Sequence, residues 1–207
     1  MGICAVKYNL FPMNPVEKQS YWSERYLKNQ IGWDCGQITP PIKEYIDQLT
    51  NKSISILIPG CGHAHEAEYL WNSGFKNLHI LDFAPEALHQ FAEKINDFPT
   101  ANLHFEDFFA HVGKYDLIIE QTLFCAINPN QRKEYVDKIV KLLNPTGKLI
   151  GVLFNREFEG GPPFGGSIAE YEPLFSTLFS SVYIEPCYNS IKPREGSEVF
   201  IKMNNVQ

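Results

Sequence analysis

The residues with most chemical promise, by type and spacing, fall in four short stretches. Pro59-Gly60-Cys61-Gly62 ends an apolar run, and glycines in such a turn let the backbone approach a ligand closely. The full G-x-G-x-x-G pattern is not met, because His65 takes the place of its third glycine, and a structural turn would use the same residues. Asp82 closes a second apolar run about 20 residues on, where a carboxylate accepts from both hydroxyls of a ribose or caps the helix starting near Pro85. Within Phe105-Glu106-Asp107-Phe108-Phe109, Asp107 offers an acceptor for the exocyclic amine of an adenine, and an apolar neighbour covers the ring. Ordinary strand-end packing beside a solvated acid has the same appearance. Glu120-Gln121-Thr122 ends a further run and points polar groups toward the amino-acid end of a cofactor.

Strands and helices must bring these stretches together. Short apolar runs predict strands over 53–58, 78–81, 103–105, 115–120, 148–154, 181–186 and 198–203. Between them, helical patterns fall at 65–72, 85–95, 130–143 and 168–178, with Gly74 as a C-cap and Asn144-Pro145-Thr146-Gly147 as a turn. Continuous apolar runs alternating with helices predict a mainly parallel sheet covered on both faces. The last two strands have no helix between them and are expected as an antiparallel hairpin. Ahead of this pattern, 15–29 reads as an aromatic-rich amphipathic helix, 31–41 as a loop and 41–49 as a short helix. Residues 1–50 are therefore read as an N-terminal helical segment of the same domain whose main body is 51–207.

The bulk properties narrow the class. A chain of 207 residues suits one well-cored domain, and a formal net charge of −6 argues against nucleic-acid or anionic-membrane partners. Five scattered cysteines, none in C-x-x-C spacing, read as free thiols in a reducing compartment. Lys7 interrupts the apolar start, no signal peptide is recognised, and no run reaches the roughly 20 apolar residues of a membrane span. A cytoplasmic monomer acting on a small molecule is the expectation. His63 and His65 near Glu66 lack a third ligand at sensible spacing, so no metal is expected. Cys125 reads as a small buried hydrophobe.

The ordered set of motifs resembles the thiopurine S-methyltransferase-like group of class I S-adenosylmethionine-dependent methyltransferases, which includes thiol and halide methyltransferases. The matching stretches are 21–26 (YWSERY), 30–36 (QIGWDCG), 58–62 (IPGCG), 81–84 (LDFA), 106–109 (EDFF), 124–127 (FCAI) with Arg132, and 160–164 (GGPPF). The resemblance implies a Rossmann-like α/β fold, a seven-stranded, mostly parallel sheet with an antiparallel last strand and helices on both faces. It implies that Trp22, Tyr26 and Trp33 of the N-terminal helical lid close over S-adenosylmethionine. Gly60 and Gly62 would meet its methionine part, Asp82 and Phe83 its ribose, and Asp107 with Phe108 its adenine. Gln121 and Arg132 would lie near the sulfonium or the acceptor, in a substrate pocket walled by Trp33, Phe124, Arg132 and Phe164. Gln121 and Phe164 both stand where plant halide enzymes resemble one another in having Tyr, which weakens a halide assignment.

Methyl transfer from a sulfonium needs alignment and exclusion of water more than a base, and a thiol with a pKa near about 8.5 already offers some thiolate. The sequence, with no evident triad or metal cluster, suits transfer to a small soft nucleophile, most simply a thiol. Alternatives are a halide or thiocyanate methyltransferase, a non-catalytic S-adenosylmethionine-binding module and, more remotely, an NAD(P)-dependent oxidoreductase. Arg132 taken alone would read as a surface helix arginine.

Overall fold

A computed structural model describes residues 14–206 of the chain. Cys4 and Lys7, on which part of the compartment reading rests, lie outside the described residues. Seven strands form one sheet in the order β3-β2-β1-β4-β5-β7-β6: β1 (Ile56–Pro59), β2 (Leu78–Asp82), β3 (Leu103–Phe105), β4 (Tyr115–Gln121), β5 (Leu143–Phe154), β6 (Phe179–Pro186) and β7 (Glu198–Val206). Strands β1 to β5 pair in parallel. Strand β7 lies between β5 and β6 and runs antiparallel to both. The expected hairpin is present, with its second strand inserted into the sheet rather than added at the edge.

Six α-helices accompany the strands: α1 (Gln19–Leu27), α2 (Pro40–Asp47), α3 (His65–Asn72), α4 (Pro85–Lys94), α5 (Arg132–Leu142) and α6 (Ile168–Ser176). The strands read as unbroken apolar runs because both faces are buried. In β1, Ile56 and Ile58 join the core under α2, α3 and α4, while Leu57 points into the core under α5 and α6. The same alternation sets Leu117 and Ile119 of β4 against Ile118. Each such side chain, removed from water, contributes about 1.5–3 kcal/mol.

Two local expectations change. The predicted helix over 15–29 is a 3₁₀ turn (Pro15–Glu17) followed by α1, because Lys18 is extended at φ −107° and ψ 129°. The Asn14 side chain accepts from the Val16 N–H and caps the start of that turn. The predicted turn at 144–147 lies inside β5: Leu143 pairs with Tyr115, and pairing resumes at Lys148 with Leu117. The intervening residues bulge, held by the Asn144 side-chain amide on Asp116 at 2.7 Å. Among the described residues no helix is long and apolar enough to cross a membrane.

Candidate functional site

Parallel strands deliver their carboxyl ends to one edge, and a cavity of about 510 Å³ opens there, beyond β1, β2, β3 and β4. Its floor comes from the turn after β1, where Gly60 and Gly62 have φ of +60° and +55°. A Cβ on Gly60 would meet Leu123 at 3.0 Å, so glycine is required there for conformation and for space. Asp82 joins this turn directly. One carboxylate oxygen accepts from the Gly62 N–H at 3.0 Å and the other from the Ala84 N–H at 2.9 Å. Burial pushes its carboxyl up to about 6, against the pull of those backbone N–H groups. It does not act as the side-chain cap of α4, whose N-cap is Ala84. Phe83, Asp107 and Phe108 continue the wall, and Asp107 accepts from the Phe109 N–H at 2.9 Å.

The N-terminal segment supplies the facing aromatic wall. Trp22, Tyr26 and Trp33 all line the cavity and meet edge to face, with Trp33 5.7 Å from Trp22 and 5.5 Å from Tyr26. Burial and the nearby Asp82 push the Tyr26 phenol well up, so it stays protonated. Four tethers hold this segment across the cavity. Ser23 donates to Glu86 of α4, Asn128 donates to Glu17, and Arg194 donates to the Trp33 carbonyl at 2.7 Å. The fourth is Asp34, whose two oxygens bond His63 and His65 at 2.8 Å each. Burial alone would raise the Asp34 carboxyl, but the Gly36 N–H and the two imidazoles hold it below the usual carboxylate range. The third partner for His63 and His65 that the spacing did not reveal is thus on the N-terminal segment.

The model of the family described as thiopurine S-methyltransferase matches residues 17–199. A probable thiol methyltransferase of Arabidopsis thaliana is 31% identical over 184 residues, which cover 86% of this chain and 81% of that one. The chain belongs to the thiopurine S-methyltransferase family. A thiocyanate methyltransferase of Brassica oleracea is 29% identical over 204 residues, covering 92% of this chain and 90% of its own. Among solved structures, the 1,6-didemethyltoxoflavin-N1-methyltransferase of Burkholderia thailandensis, with bound 1,6-didemethyltoxoflavin and S-adenosylhomocysteine, superposes with a TM-score of 0.72 at 14% identity. It covers 97% of this chain and 94% of that one, a likeness of fold.

Membership of this family pointed to four further residues, and the fold places all four away from the cavity. Phe124 is buried edge to face with Tyr135 and Tyr171, while its neighbours Leu123 and Cys125 line the cavity instead. Arg132, only 5% exposed, stacks over Phe124 at 4.8 Å and bonds Glu170 of α6 and the Gly165 carbonyl. It ties α5 to α6 and the loop between β5 and α6. Phe164 folds back over Gly161, and Pro162 and Pro163 form the wall. Gln121 turns its carbonyl oxygen to the Thr39 hydroxyl at 2.7 Å, joining β4 to the start of α2. One residue on, Thr122 has φ +70° and does reach the cavity.

Of the three arginines at the cavity, Arg25 falls in the 21–26 stretch, while Arg156 and Arg194 were not legible in the sequence. Arg156, just after β5, stacks over Phe158 at 4.7 Å and forms no ion pair among the described residues. Arg194, before β7, spans Trp33 and Glu198 and stacks over Phe154 at 5.5 Å. Both stand outside the motifs, on loops 160s and 190s whose only signal was glycine and proline content. Glu120, expected with Gln121 and Thr122 to face the amino-acid end of a cofactor, does not line the cavity. Fully buried, it accepts from the Phe124 N–H at 2.9 Å and the Tyr135 hydroxyl at 2.7 Å, and so fixes the loop after β4. Burial pushes its carboxyl up to about 7.

Proposed function

We propose that this chain transfers the methyl group of S-adenosylmethionine to a small soft nucleophile, most simply a thiol sulfur. The observation that carries this reading is the make-up of the cavity: aromatic and glycine walls, three arginines (Arg25, Arg156 and Arg194), and no histidine or lysine among the described residues lining it. The residues present fit the cofactor. Asp82 spends one lone pair on each backbone N–H and keeps others for ribose hydroxyls, while the positive-φ glycines leave room beside Trp33 and Tyr26. Asp107 with Phe108 is the pair suited to the adenine. Bound there, S-adenosylmethionine supplies an electrophilic methyl on a sulfonium that departs as a neutral thioether.

The chain's own residues then have two tasks. Trp22, Tyr26 and Trp33 act as a lid that excludes water and aligns the acceptor. Arg156, assisted by Arg194, favours an acceptor in its thiolate form by charge. Neither Tyr26 nor Cys125 serves as a base, since burial pushes the phenol far up and the thiol to about 12. Of the carboxylates lining the cavity, Asp82 and Asp107 are taken by the proposed cofactor and Glu17 accepts from Asn128, which favours an acceptor that needs no base over an oxygen or nitrogen acceptor that must lose a proton in the step. The two arginines also suit a small anion such as thiocyanate, which is the second reading.

Calorimetric titration with S-adenosylhomocysteine, alongside NAD and NADP, tests the cofactor. Micromolar binding of S-adenosylhomocysteine alone is expected, and preference for a nicotinamide nucleotide would sink the reading. Methyl acceptance from S-adenosylmethionine by small thiols and by thiocyanate then separates the two acceptors by kcat/KM.

A further inference from the structure

Beyond the cavity, at the β3 edge of the sheet, three imidazoles, a carboxylate and a phenol form one connected group. His79 on β2 and His104 on β3 share the face that carries Leu81, their rings stacked 5.2 Å apart. After β3 the chain turns, with the Ala110 and His111 N–H groups both donating to the Asp107 carbonyl, and this returns His111 toward the strand. The His111 and His104 rings then lie 4.7 Å apart.

The contacts sort into two shells. Toward the inside, His104 Nε2 lies 2.9 Å from His79 Nδ1, and His111 Nε2 lies 2.8 Å from the Tyr115 hydroxyl. Toward the outside, both Nδ1 atoms face the same carboxylate oxygen of Glu106, at 3.8 Å from His104 and 2.6 Å from His111. One ligand atom from each of His104, Glu106 and His111 lies within 4.8 Å of the other two. With the ring protons on Nε2, His104 donates to His79 and His111 donates to Tyr115, leaving two Nδ1 lone pairs and a carboxylate aimed at one point. In that tautomer one cation would be shared by all three acceptors, whereas without it the His111 Nδ1–H donates to Glu106 and the Tyr115 hydroxyl donates to Nε2. Metal-bound histidines show this pattern, the far ring nitrogen being held by a partner that fixes the tautomer.

We propose that His104, Glu106 and His111 bind a divalent first-row transition ion of the zinc class, with His79 and Tyr115 as positioning residues. Two imidazoles and one carboxylate are a donor set that zinc accepts, with a solvent molecule as fourth ligand. Donor atoms about 2.1 Å from such an ion stand roughly 3.3 Å apart. Glu106 reaches this by a small movement outward, being 38% exposed at its side chain, whereas His111 at 1% is the fixed anchor. Exposure of Glu106 also gives the ion its route in. The ion would brace the turn carrying Asp107 and Phe108, which lie between its ligands in the chain. The proposal does not depend on the methyl-transfer reading.

The test uses the full chain, stripped with a chelator and titrated with Co²⁺ and then Zn²⁺. One Co²⁺ per chain with the intense visible absorption of a tetrahedral site is expected, displaced by Zn²⁺, with a rise in melting temperature. Glu106→Gln and His104→Ala should abolish the spectrum. His79→Ala should weaken binding by about 10- to 100-fold while leaving one site. Glu106 is exposed, so Glu106→Gln is expected to fold, and circular dichroism checks that it does. The double variant His63→Ala/His65→Ala removes the other histidine pair and should bind normally. Absence of a tetrahedral Co²⁺ spectrum, binding unaffected by Glu106→Gln, or binding lost only in the His63/His65 variant would each overturn the proposal.

Discussion

The two halves of the cavity are built differently. The half formed by Gly60, Gly62, Asp82, Phe83, Asp107 and Phe108 rises from the ends of three adjacent strands, β1, β2 and β3. Each residue sits within a few positions of a strand end, so sheet order alone brings them together. The half formed by Leu123, Cys125, Arg156, Phe158, Pro162, Pro163 and Arg194 rises from three long connections. Their course depends on contacts made elsewhere: Glu120 under the loop after β4, Arg132 under the loop before α6, and Glu198 against Arg194. The first half is rigid through the backbone, and the second through buried charge. Under the proposed function, this division would give cofactor binding to the first and acceptor choice to the second.

Variants in the two halves should therefore differ in kind. The largest effect is expected for Asp82→Ala, which removes acceptors for both proposed hydroxyl bonds and for two N–H groups of the turn. Hydrogen bonds to a charged group contribute about 1.5–3 kcal/mol each, so S-adenosylhomocysteine should bind roughly 100-fold or more weakly by calorimetry. Arg156→Ala should raise the acceptor KM by about 10-fold or more while S-adenosylhomocysteine affinity stays within about twofold, consistent with loss of one charge-assisted contact. If both affinities fall together, the division fails. Arg132→Ala should instead lower stability by roughly 1–3 kcal/mol in urea unfolding, less than a fully buried pair because Glu170 is half exposed, with the acceptor KM little changed in the folded fraction. A large KM effect there would return Arg132 to the site.

Two pH effects sharpen the comparison further. In the proposed complex the cofactor hydroxyls would donate to ionised Asp82, so S-adenosylhomocysteine affinity should be level above about pH 6 and fall by up to about tenfold per unit below it. Glu120, in the other half, has a folded carboxyl pKa raised from 4.5 to about 7. The folded chain therefore holds a proton that the unfolded chain has released, and this contribution is full below pH 4.5 and lost as pH rises through about 7. Glu120→Gln should flatten the stability profile over that window in denaturant titrations. The smallest effect is expected for Asp34→Asn, which weakens one tether of several. S-adenosylhomocysteine should dissociate a few-fold faster by stopped flow, and an unchanged rate would remove Asp34 from the lid.

Period, glycine placement and acid spacing were enough to read the seven strands, their mainly parallel character and the strand-end residues that line the first half of the cavity. Those features are local: a strand buried on both faces needs an apolar run, and a residue at its carboxyl end reaches the crevice whatever follows. Even so, the Lys18 break and the bulge at 144–147 escaped, because the first depends on one backbone conformation and the second on a cross-strand bond to Asp116.

What the sequence could not decide was which side of a loop faces inward. Phe124 and Leu123 are adjacent and both apolar, and only the packing of Tyr135 and Tyr171 draws the first into the core. Likewise Arg132 and Arg156 are alike as residues; a carboxylate on α6 and a carbonyl at Gly165 claim the first and leave the second at the cavity. The three histidines at the β3 edge are scattered over 79–111 and carry no spacing signal, since sheet register, not chain order, makes them neighbours. Local chemistry is written along the chain, whereas the partner that uses up a side chain, or leaves it free, comes from residues far away in sequence that only folding brings near.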